Sequence, residues 1–253
     1  MFDSKPRAIL LDAGFTLTFC HGGRIAELAA AAGVKVRAAS LETAEPALRR
    51  EIAGYVWAAT VAQESASTRS AGPAFFRRLL DLAGAVEQWA DTPTDTPASL
   101  PARLDAAAGA IWAGHLKRNV WSRIGEGVDD ALARLRDAGI KLAIVSNSEG
   151  TVEAMLEEVG LRRHFDTVVD SWVVGVAKPD PRIFHLALDR LGVGPAEAIM
   201  VGDTPDKDIA GAQAAGTAAV LIDPLDLHAL HALAEVPRFT DVPAFVDDLL
   251  GRR

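Results

Sequence analysis

The stretch Ala8-Ile9-Leu10-Leu11-Asp12 is a short apolar run that ends in a carboxylate, and it introduces the pattern that decides the fold. Short apolar runs of this kind are typical of buried strands. Three later segments have a related form, and in chain order they are Ile144-Val145-Ser146-Asn147, Ala177-Lys178-Pro179-Asp180 and Ile199-Met200-Val201-Gly202-Asp203. In an open parallel sheet, ligands bind where the carboxyl ends of the strands meet. The pattern therefore predicts that the polar side chains of all four segments lie close together.

From residue 125 onward, predicted strands alternate with predicted helices. The strands are residues 141–146, 167–170, 198–202 and 218–222, and the helices are residues 128–138, 151–159, 181–191 and 205–215. This alternation predicts βαβ units, and therefore a parallel sheet that is covered by helices on both faces. Residues 7–12 add a first strand to the same sheet. The predicted fold class is α/β, with a Rossmann-like three-layer core.

The region between the first strand and the rest of the sheet has a different composition. Residues 24–118 are rich in Ala and Arg, and their apolar residues recur at helical spacing with little strand signal. We predict helices over residues 41–62, 74–82 and 104–118. The chain is therefore expected to contain a core of residues 1–20 and 121–253 and an inserted all-helical domain of residues 21–120.

Composition and charge argue against several classes of function. The chain has 253 residues, a formal net charge of −8 and no dense cluster of Lys and Arg, which argues against a nucleic-acid-binding surface. Cys20 is the only cysteine, so no intramolecular disulfide forms. The N-terminus lacks the apolar core of a signal peptide, and no apolar run approaches the roughly 20 residues that cross a bilayer. We expect a soluble cytoplasmic protein with no nucleic-acid or membrane partner, and its oligomeric state stays open.

The carboxylates at the strand ends suit phosphoryl transfer. A carboxylate such as Asp12 can attack phosphorus to form an acyl phosphate, which divides one difficult displacement into two easier steps. Mg²⁺ prefers hard oxygen ligands and typically binds proteins through one or two carboxylates. Asp12 and Asp203 offer such ligands, and Asp208 follows closely after Asp203. We therefore predict a Mg²⁺ site at this edge of the sheet.

Three further residues are candidates for binding phosphoryl oxygens. Lys178 supplies a positive charge that offsets the repulsion between an attacking carboxylate and a phosphate dianion. Ser146 offers a hydroxyl, and backbone N–H groups near Asn147 offer further donors. Taken singly, each of these residues is more often an ordinary turn, cap or loop residue. Their order along the chain, at βαβ spacing and with complementary charges, favours a common phosphate site.

Together these motifs resemble those of the haloacid dehalogenase superfamily, a group made mostly of Mg²⁺-dependent phosphatases. The first family motif, Asp-x-Asp-x-Thr after a strand, corresponds to Asp12-Ala13-Gly14-Phe15-Thr16, and the others correspond to Ser146, Lys178 and Gly202-Asp203 with Asp208. The resemblance implies that Asp12 is the nucleophile and that the helical insertion is a mobile cap. It also implies a set of Mg²⁺ ligands, namely Asp12, the backbone carbonyl of Gly14, Asp203 and Asp208.

Gly14 departs from the family pattern, and this departure leaves part of the mechanism open. Phosphatases of the family use a second aspartate at this position as general acid and base, a role that is worth about 10²–10⁴-fold in rate. Another residue can substitute, and the candidates are His21, His115 and Glu149. Alternatively the chemistry differs, since phosphonatases and haloacid dehalogenases of the superfamily also lack this aspartate, or the protein is a weakly catalytic binding protein.

The remaining motifs help to weigh these alternatives. A dehalogenase of the superfamily needs no Mg²⁺ and usually lacks the acidic pair Asp203 and Asp208, which this chain retains. A phosphonatase forms a Schiff base on a cap lysine, and the candidates Lys35 and Lys117 lie in no obvious apolar pocket pattern. We therefore predict an enzyme, a Mg²⁺-dependent phosphoric monoester hydrolase that acts on a small phosphorylated metabolite through an aspartyl-phosphate on Asp12.

Overall fold

A parallel sheet forms the centre of the larger part of the molecule. The computed structural model describes residues 5–53, 68–85, 100–227 and 236–251. Their strands are Ala8–Leu11 (β1), Thr18–Phe19 (β2), Arg123–Ile124 (β3), Lys141–Ser146 (β4), Thr167–Asp170 (β5), Ala198–Gly202 (β6), Ala218–Ile222 (β7) and Arg238–Phe239 (β8). Six of them form one sheet in the order β5-β4-β1-β6-β7-β8, and every pair in it is parallel. The strand β1, which Asp12 directly follows, is therefore an inner strand of the sheet.

Helices cover both faces of this sheet because successive strand residues point to opposite sides. Ile9 and Leu11 belong to one apolar core, and Ala8 and Leu10 belong to the other. The helices Val128–Asp137, Val152–Glu158 and Val242–Gly251 pack into the first core, and the helices Pro181–Leu191 and Ala210–Ala214 pack into the second. The predicted α/β fold class, with a sheet between two helical layers, is confirmed.

Several short elements of this part are absent from the sequence-based prediction. The predicted helix over residues 205–215 consists of a π-helical turn, Pro205–Ile209, followed by the helix Ala210–Ala214. A short helix, Ser171–Val174, follows β5 directly. The two-residue strands β2 and β3 pair in an antiparallel direction and form a separate two-stranded sheet. Elements this short contain too few residues to show an apolar period.

Residue contacts divide the chain into two units. One unit, here called the sheet unit, is Met1–Phe19 with Arg123–Arg253, and the other, the helical unit, is Cys20–Ser122. The helical unit contains the helices Gly22–Ala31, Ala38–Ala53, Thr68–Leu82 and Leu100–His115 within its described residues. Residues 54–62 of the helix predicted over 41–62 lie outside the described residues. The role of this unit as a cap stays a prediction.

No helix in the described part of the chain combines the length and the apolar character needed to cross a membrane. The cytoplasmic location stays a prediction.

Candidate active site

Asp12 lies at the carboxyl end of β1, between two neighbouring strands. Leu11 lies opposite Ile144 of β4 on one side and Val201 of β6 on the other. The backbone N–H of Asp12 extends this pairing by donating to the carbonyl of Val201 at 2.9 Å. The residue is buried, with 8% of its surface exposed. The topology of the sheet therefore presents the Asp12 carboxylate at the middle of the edge where ligands bind in such folds.

Lys178 joins two carboxylates that are far apart in sequence. Its Nζ atom donates hydrogen bonds of 2.6 Å to Oδ1 of Asp12 and of 2.6 Å to Oδ1 of Asp208. Both Lys178 and Asp208 are buried. Burial alone would lower the pKa of Lys178, but the charges of the two carboxylates outweigh burial and raise it, so the side chain stays an ammonium ion. The structure thus brings three of the predicted site residues into direct contact.

The protonation of Asp12 depends on opposing effects. Burial raises the pKa of the Asp12 carboxyl, and the neighbouring carboxylate of Asp208 acts in the same direction. The charge of the Lys178 ammonium and its hydrogen bond oppose this rise without cancelling it. A further positive charge at this place would therefore favour the ionised carboxylate that a nucleophile needs.

Asp203 completes an acidic cluster with Asp12 and Asp208. One carboxylate oxygen from each of the three residues lies within 4.8 Å of the other two. Three carboxylates around one ammonium ion leave an excess of negative charge, which a divalent cation can neutralise. Carboxylate oxygens are the ligands that Mg²⁺ prefers, so this donor set fits that ion. The contribution of the Gly14 carbonyl to such a site stays a prediction.

Asp208 reaches this cluster because Gly202 leaves room for it. A Cβ atom at Gly202 would lie 2.4 Å from Cγ of Asp208, far inside normal contact. The second Asp208 oxygen accepts the backbone N–H of Thr204 at 2.9 Å, and the Asp208 N–H donates to the Thr204 carbonyl at 2.9 Å. These bonds hold the carboxylate within the π-helical turn, a feature that is frequent at functional sites.

A family model described as haloacid dehalogenase-like hydrolase matches residues 6–216. The chain belongs to the haloacid dehalogenase-like hydrolases. This membership confirms the resemblance that the four sequence motifs indicate, and the matched region includes every predicted site residue. It also agrees with the position of Asp12, Lys178 and Asp208 around one point at the end of the sheet.

Curated relatives of this haloacid dehalogenase-like hydrolase match over part of their length. The haloacid dehalogenase-like hydrolase domain-containing protein 3 of Bos taurus is 46% identical over 104 residues, which are 40% of this chain and 41% of that protein. The phosphoserine phosphatase of Thermus thermophilus is 46% identical over 93 residues, 36% of this chain and 37% of that protein. The glyceraldehyde 3-phosphate phosphatase of Methanopyrus kandleri is 40% identical over 116 residues, 46% and 50% of the two chains. The chain thus matches half or less of each relative.

Solved structures resemble this chain in fold. A crystal structure described as a dehalogenase has a TM-score of 0.64 and 22% identity, and the match covers 100% of both chains. The hydrolase YfnB from Bacillus subtilis, bound to magnesium, has a TM-score of 0.64 and 18% identity over 97% of this chain and 99% of that chain. At these identities the likeness establishes the fold and leaves the chemistry to the site.

The Asn147 side chain contacts the backbone of Lys178. Its Oδ1 atom accepts the backbone N–H of Lys178 at 2.8 Å, and its Nδ2 atom donates to the backbone carbonyl of Lys178 at 2.9 Å. Ser146, the preceding residue, is buried at the end of β4. Phosphate binding by Ser146, Lys178 and the backbone near Asn147 stays a prediction.

The loop after β4 is held by hydrogen bonds to side chains that are not among the predicted site residues. The Ser148 N–H donates to Oγ of Ser171 at 3.1 Å, and the Gly150 N–H donates to the carboxylate of Asp170 at 3.0 and 3.2 Å. Asp170 follows its apolar strand run directly, as Asp12 does. The same signal therefore identifies Asp170 as a residue at the site edge of the sheet, although its role is to hold a loop.

The two candidate histidines make local contacts within the helical unit. His115 is buried, its ring stacks on Trp112 with the centroids 4.9 Å apart, and its Nδ1 accepts the Val120 N–H at 3.3 Å. His21 precedes the helix Gly22–Ala31, and its Nδ1 accepts the N–H of Arg24 at 3.3 Å. These contacts are those of a packed side chain and of a helix cap. Replacement of the missing general acid by either histidine, or by Glu149, stays a prediction.

Proposed function

We propose that this protein is a Mg²⁺-dependent phosphomonoester hydrolase that acts on a small phosphorylated metabolite through an aspartyl-phosphate on Asp12. The observation that carries the proposal is the pair of 2.6 Å hydrogen bonds from Lys178 to Asp12 and Asp208. They fix a nucleophilic carboxylate beside a buried positive charge. Such preorganised charge stabilises the transition state of phosphoryl transfer, which depends mainly on positioning and electrostatics.

The first step uses the Asp12 carboxylate as nucleophile. One of its oxygens forms a bond to phosphorus, and the bond between phosphorus and the ester oxygen breaks. The leaving oxygen departs with the bonding electron pair and takes up a proton. Lys178, the Ser146 hydroxyl and backbone N–H groups near Asn147 hold the non-bridging oxygens as negative charge redistributes. The product of this step is an alcohol or phenol and a phosphorylated Asp12.

The second step restores the enzyme by hydrolysis. A water oxygen forms a bond to phosphorus, and the bond between phosphorus and the Asp12 oxygen breaks, which releases inorganic phosphate and the free carboxylate. The water gives up its proton to a base. Gly14 supplies neither the acid of the first step nor this base, because it has no side chain. The lost assistance is worth about 10²–10⁴-fold with a poor leaving group.

The metal site follows from the acidic cluster. Asp12, Asp203 and Asp208, with the Gly14 carbonyl, would hold Mg²⁺, and their three oxygens within 4.8 Å of one another support this assignment. The bound ion supplies positive charge for the phosphoryl oxygens as a Lewis acid. Removal of Mg²⁺ with a chelator is therefore expected to stop turnover, and addition of Mg²⁺ is expected to restore it. Turnover that persists after chelation would contradict this assignment.

The substrate class rests on the named relatives. The phosphatases of Thermus thermophilus and Methanopyrus kandleri are named for small phosphate esters. Because the alignments span half or less of those proteins, they support small phosphorylated metabolites as a class and no particular compound. The net charge of −8 argues further against a nucleic-acid substrate.

Phosphate release from two paired esters tests this proposal. One ester has an aryl leaving group and the other an alkyl leaving group, and each is assayed with and without Mg²⁺. Asp12→Asn is the inactive variant, and Asp189→Asn, which changes an exposed aspartate in the same way, is its matched control. We expect Mg²⁺-dependent release from the aryl ester that Asp12→Asn abolishes and Asp189→Asn retains.

The alkyl ester tests whether a general acid assists the reaction although Gly14 has no side chain. Negligible alkyl cleavage beside fast aryl cleavage would mean that the enzyme works without a general acid. Comparable rates would mean that another residue supplies the proton, and His21, His115 and Glu149 would be replaced next. Absence of release from both esters would contradict the phosphatase assignment and favour phosphonate or halide chemistry, or a binding role.

A further inference from the structure

We propose that Asn147 is a positioning residue that acts on the reaction through Lys178. This inference rests on the proposed function, because it assigns a second residue to the work of the same ammonium group. The Asn147 side chain holds the backbone of Lys178 with both of its polar atoms, and Lys178 in turn contacts Asp12 and Asp208.

The two hydrogen bonds define the orientation of the Lys178 backbone. One joins Asn147 Oδ1 to the Lys178 N–H at 2.8 Å, and the other joins Asn147 Nδ2 to the Lys178 carbonyl at 2.9 Å. A single hydrogen bond leaves a backbone free to rotate about it, whereas two bonds to the same residue fix the direction of its Cα–Cβ bond. The side-chain amide therefore replaces the pairing that a neighbouring strand would provide.

Lys178 needs this support because it lies in a loop. It follows the short helix Ser171–Val174 and precedes the helix Pro181–Leu191, so neither a strand ladder nor a helix fixes its backbone. Its ammonium group sits at the end of a flexible four-carbon stem. A displacement of about 1 Å at a catalytic group can cost about 100-fold in rate. A fixed Lys178 backbone therefore helps to keep the ammonium group in the position that catalysis requires.

Asn147 is itself held in place from the opposite side. The loop that contains it is tied to the start of the short helix by the Ser148 N–H, which donates to Ser171 Oγ at 3.1 Å. The carboxylate of Asp170 accepts the N–H of Gly150 at 3.0 Å and that of Trp172 at 2.9 Å. Asp170 and Ser171 therefore hold the loop that contains Asn147, and Asn147 in turn holds the backbone of Lys178.

Direct binding of phosphate by the Asn147 side chain is the competing assignment. A double-mutant cycle separates the two, since a residue that acts only through Lys178 loses its effect when Lys178 is absent. The variants are Asn147→Ala, Lys178→Ala and the double variant, and the measured quantity is kcat/KM for an aryl phosphate with Mg²⁺.

We expect Asn147→Ala to lower kcat/KM by about 10- to 100-fold in the wild-type background. In the Lys178→Ala background the same substitution is expected to have almost no further effect. Losses that multiply in the double variant would overturn the proposal and assign Asn147 to direct phosphate binding.

Amide hydrogen exchange at Lys178 gives a second readout that needs neither metal nor activity. The Lys178 N–H is expected to exchange faster in Asn147→Ala than in the wild type. Asn147→Asp keeps an acceptor for this N–H but loses the donor to the Lys178 carbonyl, so its protection is expected to lie between that of Asn147→Ala and that of the wild type. Unchanged exchange in Asn147→Ala would overturn the proposal even if the cycle could not be measured. If the wild type hydrolyses no ester, the proposed function is wrong. The exchange measurement would still show whether Asn147 holds the backbone N–H of Lys178.

Discussion

The buried Lys178 of the sheet unit and the buried Glu45 of the helical unit offer a comparison between a cluster of charged side chains and a carboxylate that accepts a backbone N–H. In the sheet unit, Lys178 is bonded to Asp12 and Asp208, which are 166 and 30 residues away in the chain, so three charged side chains meet one another. In the helical unit, the buried Glu45 accepts the backbone N–H of Cys20 at 2.9 Å. Its neighbour Glu42 accepts the N–H of Gly22 at 3.1 Å.

This difference separates a reactive arrangement from a structural one. Charges that lie in contact at the ends of parallel strands interact strongly, because little water is present to screen them. A carboxylate that accepts backbone N–H groups, as Glu45 does, holds the chain where it enters the helical unit. We therefore expect substitutions at the strand ends to act mainly on turnover, and substitutions at Glu45 to act mainly on stability.

Replacement of Lys178 by Met is expected to have the largest effect. It leaves the buried carboxylates of Asp12 and Asp208 without their common cation, which costs about 3–5 kcal/mol in the free energy of unfolding without metal. Turnover is expected to fall by about 10²–10³-fold because the positive charge of Lys178 no longer stabilises the phosphoryl oxygens. Chemical denaturation and ester hydrolysis measure the two effects. Lys207→Met, which removes an exposed lysine, is the control. Wild-type stability of the Lys178→Met protein would contradict a buried ionic cluster.

Replacement of Gly202 by Ala sharpens the comparison by moving one carboxylate. The new Cβ atom would lie 2.4 Å from Cγ of Asp208, so the carboxylate must shift from the position in which it contacts Lys178. We expect turnover to fall by about 10- to 100-fold, and the free energy of unfolding to fall by about 1–3 kcal/mol.

Gly109→Ala in the helical unit is the matched control for this substitution. Nothing lies within 4 Å of a Cβ atom built at that helical position. The free energy of unfolding of Gly109→Ala is expected to be higher than that of the wild type by about 0.5–1 kcal/mol, because Ala stabilises a helix interior more than Gly does. Equal turnover of Gly202→Ala and wild type would show that the position of Asp208 does not matter.

Replacement of Glu45 by Ala tests the structural half of the comparison. The Cys20 N–H then loses its acceptor within a buried environment, which costs about 1–3 kcal/mol in the free energy of unfolding. The folded enzyme is expected to retain its turnover. Glu27→Ala, on the exposed side of the first helix of this unit, is expected to change stability by less than about 0.5 kcal/mol. A loss of turnover without a loss of stability would instead assign Glu45 to the reaction.

The smallest effect is expected at the opposite, amino end of the sheet. Asp166 accepts the Leu142 N–H at 2.9 Å and a hydrogen bond from Arg136. Partial burial raises the pKa of this carboxyl, but the hydrogen bonds and the charge of Arg136 outweigh it and the net direction is downward. A lowered pKa stabilises the fold above the pKa of the unfolded chain, and this stabilisation is lost as the pH falls through the lower folded value.

Asp166→Asn is therefore expected to be less stable than wild type at neutral pH, by at most about 1 kcal/mol because the pair is partly exposed. The difference is expected to vanish on acidification below about pH 4. Thermal unfolding followed at several pH values measures it. A difference that grows on acidification would mean that the sign of the pKa shift is wrong.

The sheet and its active edge are readable from the sequence, for reasons that particular residues make clear. The apolar runs before Asp12, Ser146 and Asp203 are long enough to show strand character, and parallel topology then brings their ends together. Family membership, predicted from the same motifs, is confirmed by the match over residues 6–216.

Other features depend on contacts that no local pattern encodes. Strand β8 contains only Arg238 and Phe239, and it is defined by its pairing with Leu221 and Ile222 of β7. The π-helical turn at Pro205–Ile209 is indistinguishable in sequence from the start of an ordinary helix. The bond between Asn147 and Lys178 spans 31 residues and joins two loops, so no local pattern in the sequence indicates it.

Rapid chemical quench of the wild-type enzyme with a phosphorus-labelled aryl phosphate tests whether the phosphoryl group is transferred to Asp12. Within the first turnover, we expect label bound covalently to the peptide that contains Asp12, and no such label in Asp12→Asn. Complete turnover of the ester with no label on the protein at any time point would contradict an aspartyl-phosphate intermediate, because the phosphoryl group would then pass directly to water.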